Sequence, residues 1–219
     1  MSRKGKRAKS RKQDNHGDIC VEVFHDELDK IMDVKIRRFV IDVFELLCPD
    51  YFWTCPASTT GKYHPLISLG EGGLIRHVKL AVWWGELFSL ASHVTEKMCC
   101  KIIAALLLHD ILKNGQELTR SGFPKDRNVV RTHGVDLAKA MIKNRKRLMR
   151  GGIDAESFEQ IVAAVGAHMG IWTADKYELY RSEYMEDRTT KAIASIVSMS
   201  DFASAQKVDA YMETLMDHV

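Results

Sequence analysis

The sequence predicts an all-α domain, and three observations predict it. Apolar residues recur at helical spacing in six segments, no segment sustains the alternation of a strand, and only four prolines interrupt 219 residues. Proline breaks helices by removing a donor and clashing with the preceding turn, so its scarcity leaves room for long ones. The length suits one domain with a sizeable core.

Residues 1–18 are expected as a disordered basic tail and residues 19–219 as a single helical domain. Arg3, Lys4, Lys6, Arg7, Lys9, Arg11 and Lys12 give residues 1–12 seven basic groups and no acidic one. A block of one sign repels itself and buries nothing. Taking those seven from the 32 basic residues leaves 25 against 29 acidic ones, so the body is mildly acidic although the chain carries +3. The tail could attract nucleic acid by phosphate contacts and counterion release, or it could be a solubilising arm.

From Asp29 to Leu47, Ile31, Val34, Phe39, Val40, Val43, Phe44 and Leu47 form one stripe of an amphipathic helix. Pro49 and Pro56 bracket an aromatic loop with Tyr51, Phe52 and Trp53, which runs on to Gly70, Gly72 and Gly73. A second helix is expected over Leu74 to Ser92, with Trp83-Trp84 in the core. Thr95 can cap a third, reaching about Leu112 and closed by Asn114-Gly115. Residues 116–130 read as a polar loop. The fourth helix covers about Thr132 to Arg147, with basic residues at its C-terminal end, where the helix dipole favours cations. Gly151-Gly152 breaks the chain, Asp154 caps a fifth helix to about His168, and a sixth covers about Thr190 to Met216.

Five cysteines (Cys20, Cys48, Cys55, Cys99, Cys100) are an odd number with no CxxC spacing, so they read as reduced thiols in a reducing compartment. No signal-peptide pattern follows the basic start. The longest apolar run, Ile102 to Leu108, is far too short to span a bilayer. A soluble cytoplasmic protein with no membrane partner is the expectation.

The informative feature is where polar residues fall on apolar faces. His77 shares a face with Leu74, Ala81, Trp84 and Phe88, and His109-Asp110 ends the run Ile102 to Leu108. His133 opens the face of Leu137, Ala140 and Met141, and His168 continues that of Ile161, Ala164 and Val165. Asp201 lies with Ala194, Val197 and Ala205. One histidine on an apolar face is commonly a satisfied core residue. An unpaired buried carboxylate, however, is costly, and this pattern offers few basic partners. One divalent metal site, or two adjacent ones, satisfies all six groups together. Imidazole with carboxylate suits Mn, Fe, Ni, Co or Zn, with Mg a further candidate. Consecutive helical residues point about 100° apart, so His109 and Asp110 reach one ion only near a helix end. Asn114-Gly115 puts that end in the right place.

The order His77, His109-Asp110, Asp201 resembles the H…HD…D signature of the HD-domain metal-dependent phosphohydrolases, with His133 and His168 matching the extra histidines of binuclear members. His109-Asp110-Ile111-Leu112-Lys113 is similar to that family's HDxxK extension. Glu71-Gly72-Gly73-Leu74-Ile75-Arg76-His77 resembles the GGLxxH opening of the HD domain in bacterial 3′–5′ exoribonucleases. Those proteins often carry a nucleic-acid-binding barrel as well, for which this chain has no room. The resemblance covers about residues 60–210.

It implies an HD-type helical bundle with the metal site in its core. His77, His109, Asp110 and Asp201 would hold the first ion with Asp110 bridging, and His133 and His168 the second. The implied activity is hydrolysis of a phosphoester or phosphodiester in a nucleotide or oligonucleotide, through a metal-bound hydroxide. Asp110 and Lys113 are the catalytic candidates. Lys113, His64, Arg76 and Arg131 are candidates to touch substrate, each with an ordinary surface role as the alternative. Trp172 and Tyr177 could stack on a base or merely pack. The competing readings are a helical binding or sensor module with a structural metal, and a nucleic-acid-binding protein acting through its tail.

Overall fold

The computed structural model describes residues 15–59, 61, 64–115, 130–173 and 175–206. These residues are all-helical, without a strand. The α-helices are α1 (His16–Val23), α2 (His25–Asp29), α3 (Val34–Leu47), α4 (Gly73–Ala91), α5 (Glu96–Leu108), α6 (His133–Lys143), α7 (Arg145–Leu148), α8 (Ala155–Ala167) and α9 (Arg188–Ser204). The basic run at residues 1–12, the loop over 116–129 and the expected extension of the last helix to Met216 lie outside the described residues.

Helix α5 is the axis of the molecule. Every residue from Cys100 to Leu108 is buried, so this helix is covered on all sides. Helices α3, α4, α8 and α9 surround it, α6 packs outside α8, and α1 packs outside α3. The one basic residue inside that run, Lys101, is 2 % exposed and donates to Gln160 Oε1, so its charge is not left bare.

Most expected helices appear, with shifted ends that have local causes. The first expected helix starts later, at Val34, because Asp33 accepts from the backbone N–H of Lys35 and Ile36. Thr95 and Asp154 cap α5 and α8 through Met98 N and Ser157 N. The fourth helix is broken at Asn144, whose side chain donates to Ala140 O and closes α6 there. Helix α1 begins inside the stretch assigned to the tail, and α2 lies ahead of the first expected helix. Asn15 caps α1, and Cys20, Phe24, Leu28 and Ile31 are buried at helical spacing. Phe24 joins Phe44, Phe52 and Trp53 in one aromatic cluster beneath α3.

Two further expectations change. Trp83 is 40 % exposed and Trp84 half-buried, so neither belongs to the buried core. The stretch after His168, which the sequence reads as a loop carrying Trp172 and Tyr177, forms short 3-10 helices at Gly170–Trp172, Asp175–Tyr180 and Ser182–Tyr184. All five cysteines are free thiols. No helix among the described residues is long and apolar enough to cross a membrane.

Candidate metal centre

The Gly72-Gly73 pair has a steric reason. Gly72 adopts φ +68° at the N-terminus of α4, a left-handed conformation that suits glycine. A Cβ on Gly73 would stand 2.3 Å from Ser68 O. This close approach lets Gly72 N and Leu74 N donate to Thr54 O and Cys55 O, which seats α4 on the preceding loop and delivers His77 to the interior.

The end of α5 is built as tightly. The helix stops at Leu108, and the chain continues in turns closed by Ile111 N to Leu108 O, Lys113 N to Asp110 O and Gly115 N to Leu112 O. The buried Tyr51 hydroxyl donates to Gly115 O at 2.8 Å and accepts from Asn114 N at 3.3 Å, clamping the turn. His109 and Asp110 are therefore released from helical geometry and reach the same centre. His133 is the first residue of α6, His168 the residue after α8, and Asp201 lies near the C-terminal end of α9.

The six side chains converge. His77 Nε2 lies 3.1 Å from Asp201 Oδ1 and 3.4 Å from His109 Nε2, while His109 Nε2 lies 3.4 Å from Asp201 Oδ1. Asp110 Oδ2 stands 3.3 Å from His77 Nε2 and 3.5 Å from His109 Nε2. Its other oxygen, Oδ1, is 2.8 Å from His133 Nε2 and 3.8 Å from His168 Nε2, and these two nitrogens are 2.8 Å apart. Asp110 thus offers one oxygen to each histidine pair. Two groups emerge, His77–His109–Asp201 and Asp110–His133–His168, each with its ligand atoms close enough to hold an ion.

These spacings fit metal coordination. Ligands about 2.0–2.1 Å from one ion stand roughly 2.9–3.4 Å from each other in octahedral or tetrahedral arrangement. The edges joining His77, His109, Asp201 and Asp110 Oδ2, at 3.1 to 3.5 Å, match that range closely. The second group is less regular, with edges of 2.8, 2.8 and 3.8 Å.

The histidines are also oriented as ligands. Nδ1 of His109, His133 and His168 bonds to the carbonyls of Leu106, Val130 and Val165, each three residues earlier. Ser204 Oγ donates to Asp201 O and so accepts from His77 Nδ1 at 3.1 Å. With the ring proton on Nδ1, every neutral ring turns a bare Nε2 inward, the second-sphere arrangement that fixes metal-binding histidines. Burial alone would raise the Asp110 carboxyl, but Lys113 and the surrounding imidazoles hold it well below the usual range. Burial likewise opposes ionisation of Asp201, and His109 and His77 hold it low. Burial and the neighbouring His133 and His109 push His168 down to about 3. His109 moves the other way, raised by Asp110 and Asp201 against its burial. Two carboxylates at one buried point demand positive charge.

The remaining candidates divide. Lys113 is 5 % exposed and its ammonium pairs with Asp110 Oδ2, so it is part of the cluster rather than a solvated lysine. His64 lies against His77, ring centroids 5.3 Å apart, and lines the cavity above the cluster. Burial, with Lys113 and His77, pushes it down to about 4. Arg76 is turned to another task, donating from Nε to Ile67 O and from one terminal nitrogen to Leu69 O at 2.8 Å and Glu71 O at 3.0 Å. Its fork is occupied by the loop that precedes α4. Arg131 is exposed and does not line the cavity. Tyr177 sits under Lys139 and Lys176 away from the cavity, whereas Trp172 lines it.

Sequence reasoning passed over Ser204, which holds His77, and Arg181, Met199 and Phe202, which line the cavity. A serine three residues after a candidate ligand on one helix was the available signal for the first. No local pattern marked the others. No protein-family model, curated protein or solved structure matches the chain.

Proposed function

We propose that the chain is a metal-dependent phosphohydrolase of the HD-domain type, cleaving a phosphoester or phosphodiester in a nucleotide or oligonucleotide. The observation that carries this reading is the split of Asp110, one oxygen toward His77 and His109 and the other toward His133 and His168. A carboxylate so placed suits two adjacent divalent ions. Two such ions against two carboxylates and neutral imidazoles leave net positive charge, the requirement for receiving a phosphate.

His77, His109, Asp201 and Asp110 Oδ2 would hold one ion, and His133, His168 and Asp110 Oδ1 the other. Bound there, the ions would supply acidity to an attacking water, bringing its pKa toward about 7, and would polarise the phosphoryl oxygens. The chain's own groups do the rest. Lys113 presents an ammonium at the cavity wall beside Asp110 and can meet a phosphoryl oxygen. His64 lines the cavity with its ring against His77, and its Nδ1 is buried without a hydrogen-bond partner among the described residues. The partners of the four Nδ1 atoms, Ser204 on α9, Leu106 on α5, Val130 just before α6 and Val165 on α8, keep the imidazoles from turning, so the positions of the ligands are set before substrate arrives.

The test is to purify the full chain with Mn²⁺ and count bound metal. Bis-p-nitrophenyl phosphate, short RNA, cyclic nucleotides and dinucleotides are then offered. Two equivalents and turnover that chelator removes and Mn²⁺ restores are expected. Asp110→Ala should abolish turnover while circular dichroism keeps its helical signal. Bound metal with no turnover on any of these substrates would sink the reading.

A further inference from the structure

The basic run that closes the fourth expected helix is only partly explained by the fold. Residues 137–153 hold six basic residues and no acidic one. Helix α6 ends at Lys143, so its dipole accounts for that residue alone, and α7 is a single turn with little dipole of its own. Arg145 is engaged, donating to Glu159 Oε1 at 2.8 Å with its guanidinium over the Phe158 ring. Lys143, Lys146, Arg147 and Arg150 are exposed and pair with no carboxylate among the described residues. Crowded like charges repel one another, and an anion among them relieves the repulsion.

These residues lie along α3. A Cβ on Gly151 would stand 3.0 Å from Arg38 Cγ, and one on Gly152 3.8 Å from Lys35 Cδ, so the loop after α7 rests on the N-terminal half of α3. Next to it, Arg147 and Arg150 line a groove with Arg38, Asp42 and Glu45. Lys139, Lys143 and Asn144 line a second groove with Leu47, at the C-terminal end of α3. The segment therefore runs antiparallel to α3, which is about 20 Å long at about 1.5 Å per residue. Six basic side chains, Lys35, Arg38, Lys139, Lys143, Arg147 and Arg150, flank this track against three acidic ones. Of those three, Asp42 is held by Arg38 and Asp136 by the Thr132 hydroxyl. Gly17, at the start of α1, lies against Ile41 and Glu45 of the same helix. The stretch 1–12, with its seven basic groups, thus joins the body at the edge of the track. No residue of the track lines the cavity over the metal cluster.

We infer that this track is a docking surface for the sugar–phosphate backbone of a nucleic-acid strand, separate from the His/Asp cluster and independent of the phosphohydrolase reading. Basic groups set out along a line match a partner whose phosphates recur along a line, about 3.4 Å apart in a stacked strand. Arginine forks fit phosphate oxygens two at a time. A flat layer of anionic lipid headgroups could not follow grooves walled by two helical segments. An acidic peptide is usually held by an apolar pocket or a sheet edge in addition to charge. The track has no sheet edge, and none of the large exposed apolar side chains lines it. No aromatic residue lines it either, so the bases go unread and strands of any sequence are taken.

The test is fluorescence anisotropy of the full chain with a labelled 2′-O-methyl oligouridylate of about twelve nucleotides, which keeps its phosphates but resists cleavage. One variant combines Lys143→Gln, Arg147→Gln and Arg150→Gln. All three residues are exposed, so its circular dichroism and melting temperature should match wild type. It should bind about 10- to 100-fold more weakly near 0.1 M salt. The slope of log K against log salt should fall by about 2, the release expected for three phosphates of a single strand. Arg147→Lys with Arg150→Lys keeps the charge and should keep the slope. An oligoadenylate of the same backbone should behave like the oligouridylate. Unchanged affinity and slope in the triple glutamine variant would assign all binding to residues 1–12 or to the cluster, and overturn the inference. Tighter capture of phosphatidylserine vesicles or of polyglutamate at equal charge, or no binding of the strand at low salt, would overturn it as well. Bound Mn²⁺ and any turnover of bis-p-nitrophenyl phosphate should be the same in variant and wild type. Absence of turnover would therefore remove the hydrolase and leave this surface standing.

Discussion

His133 Nε2 and His168 Nε2 face each other across 2.8 Å, while the opposite nitrogen of each ring is bonded to a backbone carbonyl, of Val130 and of Val165. In neutral rings two lone pairs then point into one gap. Such a contact is repulsive unless a proton or a cation lies between them. A cation between them also draws in Asp110 Oδ1, which is 2.8 Å from His133 Nε2. Metal should therefore stabilise this fold, since a ligand that binds only the folded state adds stability by mass action.

At free Mn²⁺ a hundredfold above its dissociation constant, the gain is about 2.7 kcal/mol. For a chain of this size it should raise Tm by roughly 5–10 °C over chelated protein. Differential scanning calorimetry with and without EDTA measures it. His168→Ala should lose much of the gain and one equivalent of metal. Equal melting temperatures with and without chelator would refute the ion-gathering role of the cluster.

Gly134 follows His133 for a steric reason. A Cβ there would meet His168 Cε1 and Nδ1 at 2.7 Å and Val165 O at 2.8 Å. Alanine ordinarily favours a helix over glycine, so the backbone preference and the packing clash oppose each other. The clash involves a ring locked by its own hydrogen bond and a backbone oxygen, neither of which yields easily, so packing wins. Gly134→Ala should destabilise by about 1–3 kcal/mol, the usual cost of overpacking, and lower Mn²⁺ affinity by displacing His168. Urea denaturation and metal titration read the two effects, and a stabilised variant would contradict the geometry.

Arg76 separates a phosphate contact from a positioning role. Its guanidinium holds three carbonyls of the chain just before α4, and α4 carries His77. Arg76→Ala should cost about 1.5–3 kcal/mol, the range for hydrogen bonds to a charged group. Arg76→Lys should rescue little, because an ammonium lacks the planar fork. Were the proposed activity present, the loss should appear in kcat together with reduced metal content rather than in KM alone. A KM defect with normal stability would restore the substrate-contact role.

Much of this site was legible in the sequence, and the reason is thermodynamic. A His or Asp placed on the apolar stripe of a helix must be buried, burial of a carboxylate demands partners, and six such placements with few basic residues nearby leave a cation as the common partner. The pattern located His77, His109, Asp110, His133, His168 and Asp201 before any coordinates. It could not show which way a guanidinium turns, since Arg76 reaches backbone groups that carry no side-chain signature. Nor could it show the cavity wall. Met199 and Phe202 lie on the exposed side of α9, where an apolar residue has no consequence until another element completes the pocket. Helices α1 and α2 were missed because each is too short to show a repeated stripe. Asn15 and the spacing of Cys20, Phe24 and Leu28 were the overlooked signals.

Asp154 gives a pH test remote from the cluster but on the helix that leads to His168. Its Oδ1 accepts from Ser157 N and its Oδ2 from the Ser157 hydroxyl, both at 2.8 Å, and Lys97 lies 3.6 Å away. The backbone N–H of Ser157 is the largest influence drawing this carboxyl below its ordinary value. A carboxyl lowered by folding stabilises the fold above its unfolded value of about 3.9, and the contribution fades as pH falls through the lower folded value. Asp154→Ala should therefore cost about 0.5–2 kcal/mol at pH 7, the usual loss of an N-cap. The gap to wild type should narrow below about pH 4. Asp154→Asn, which caps without titrating, should keep a gap to alanine that does not change with acid. Urea midpoints for the three proteins at pH 7, 5 and 3 decide the matter. A constant difference between aspartate and alanine across that range would show that the ionised cap contributes nothing to holding α8.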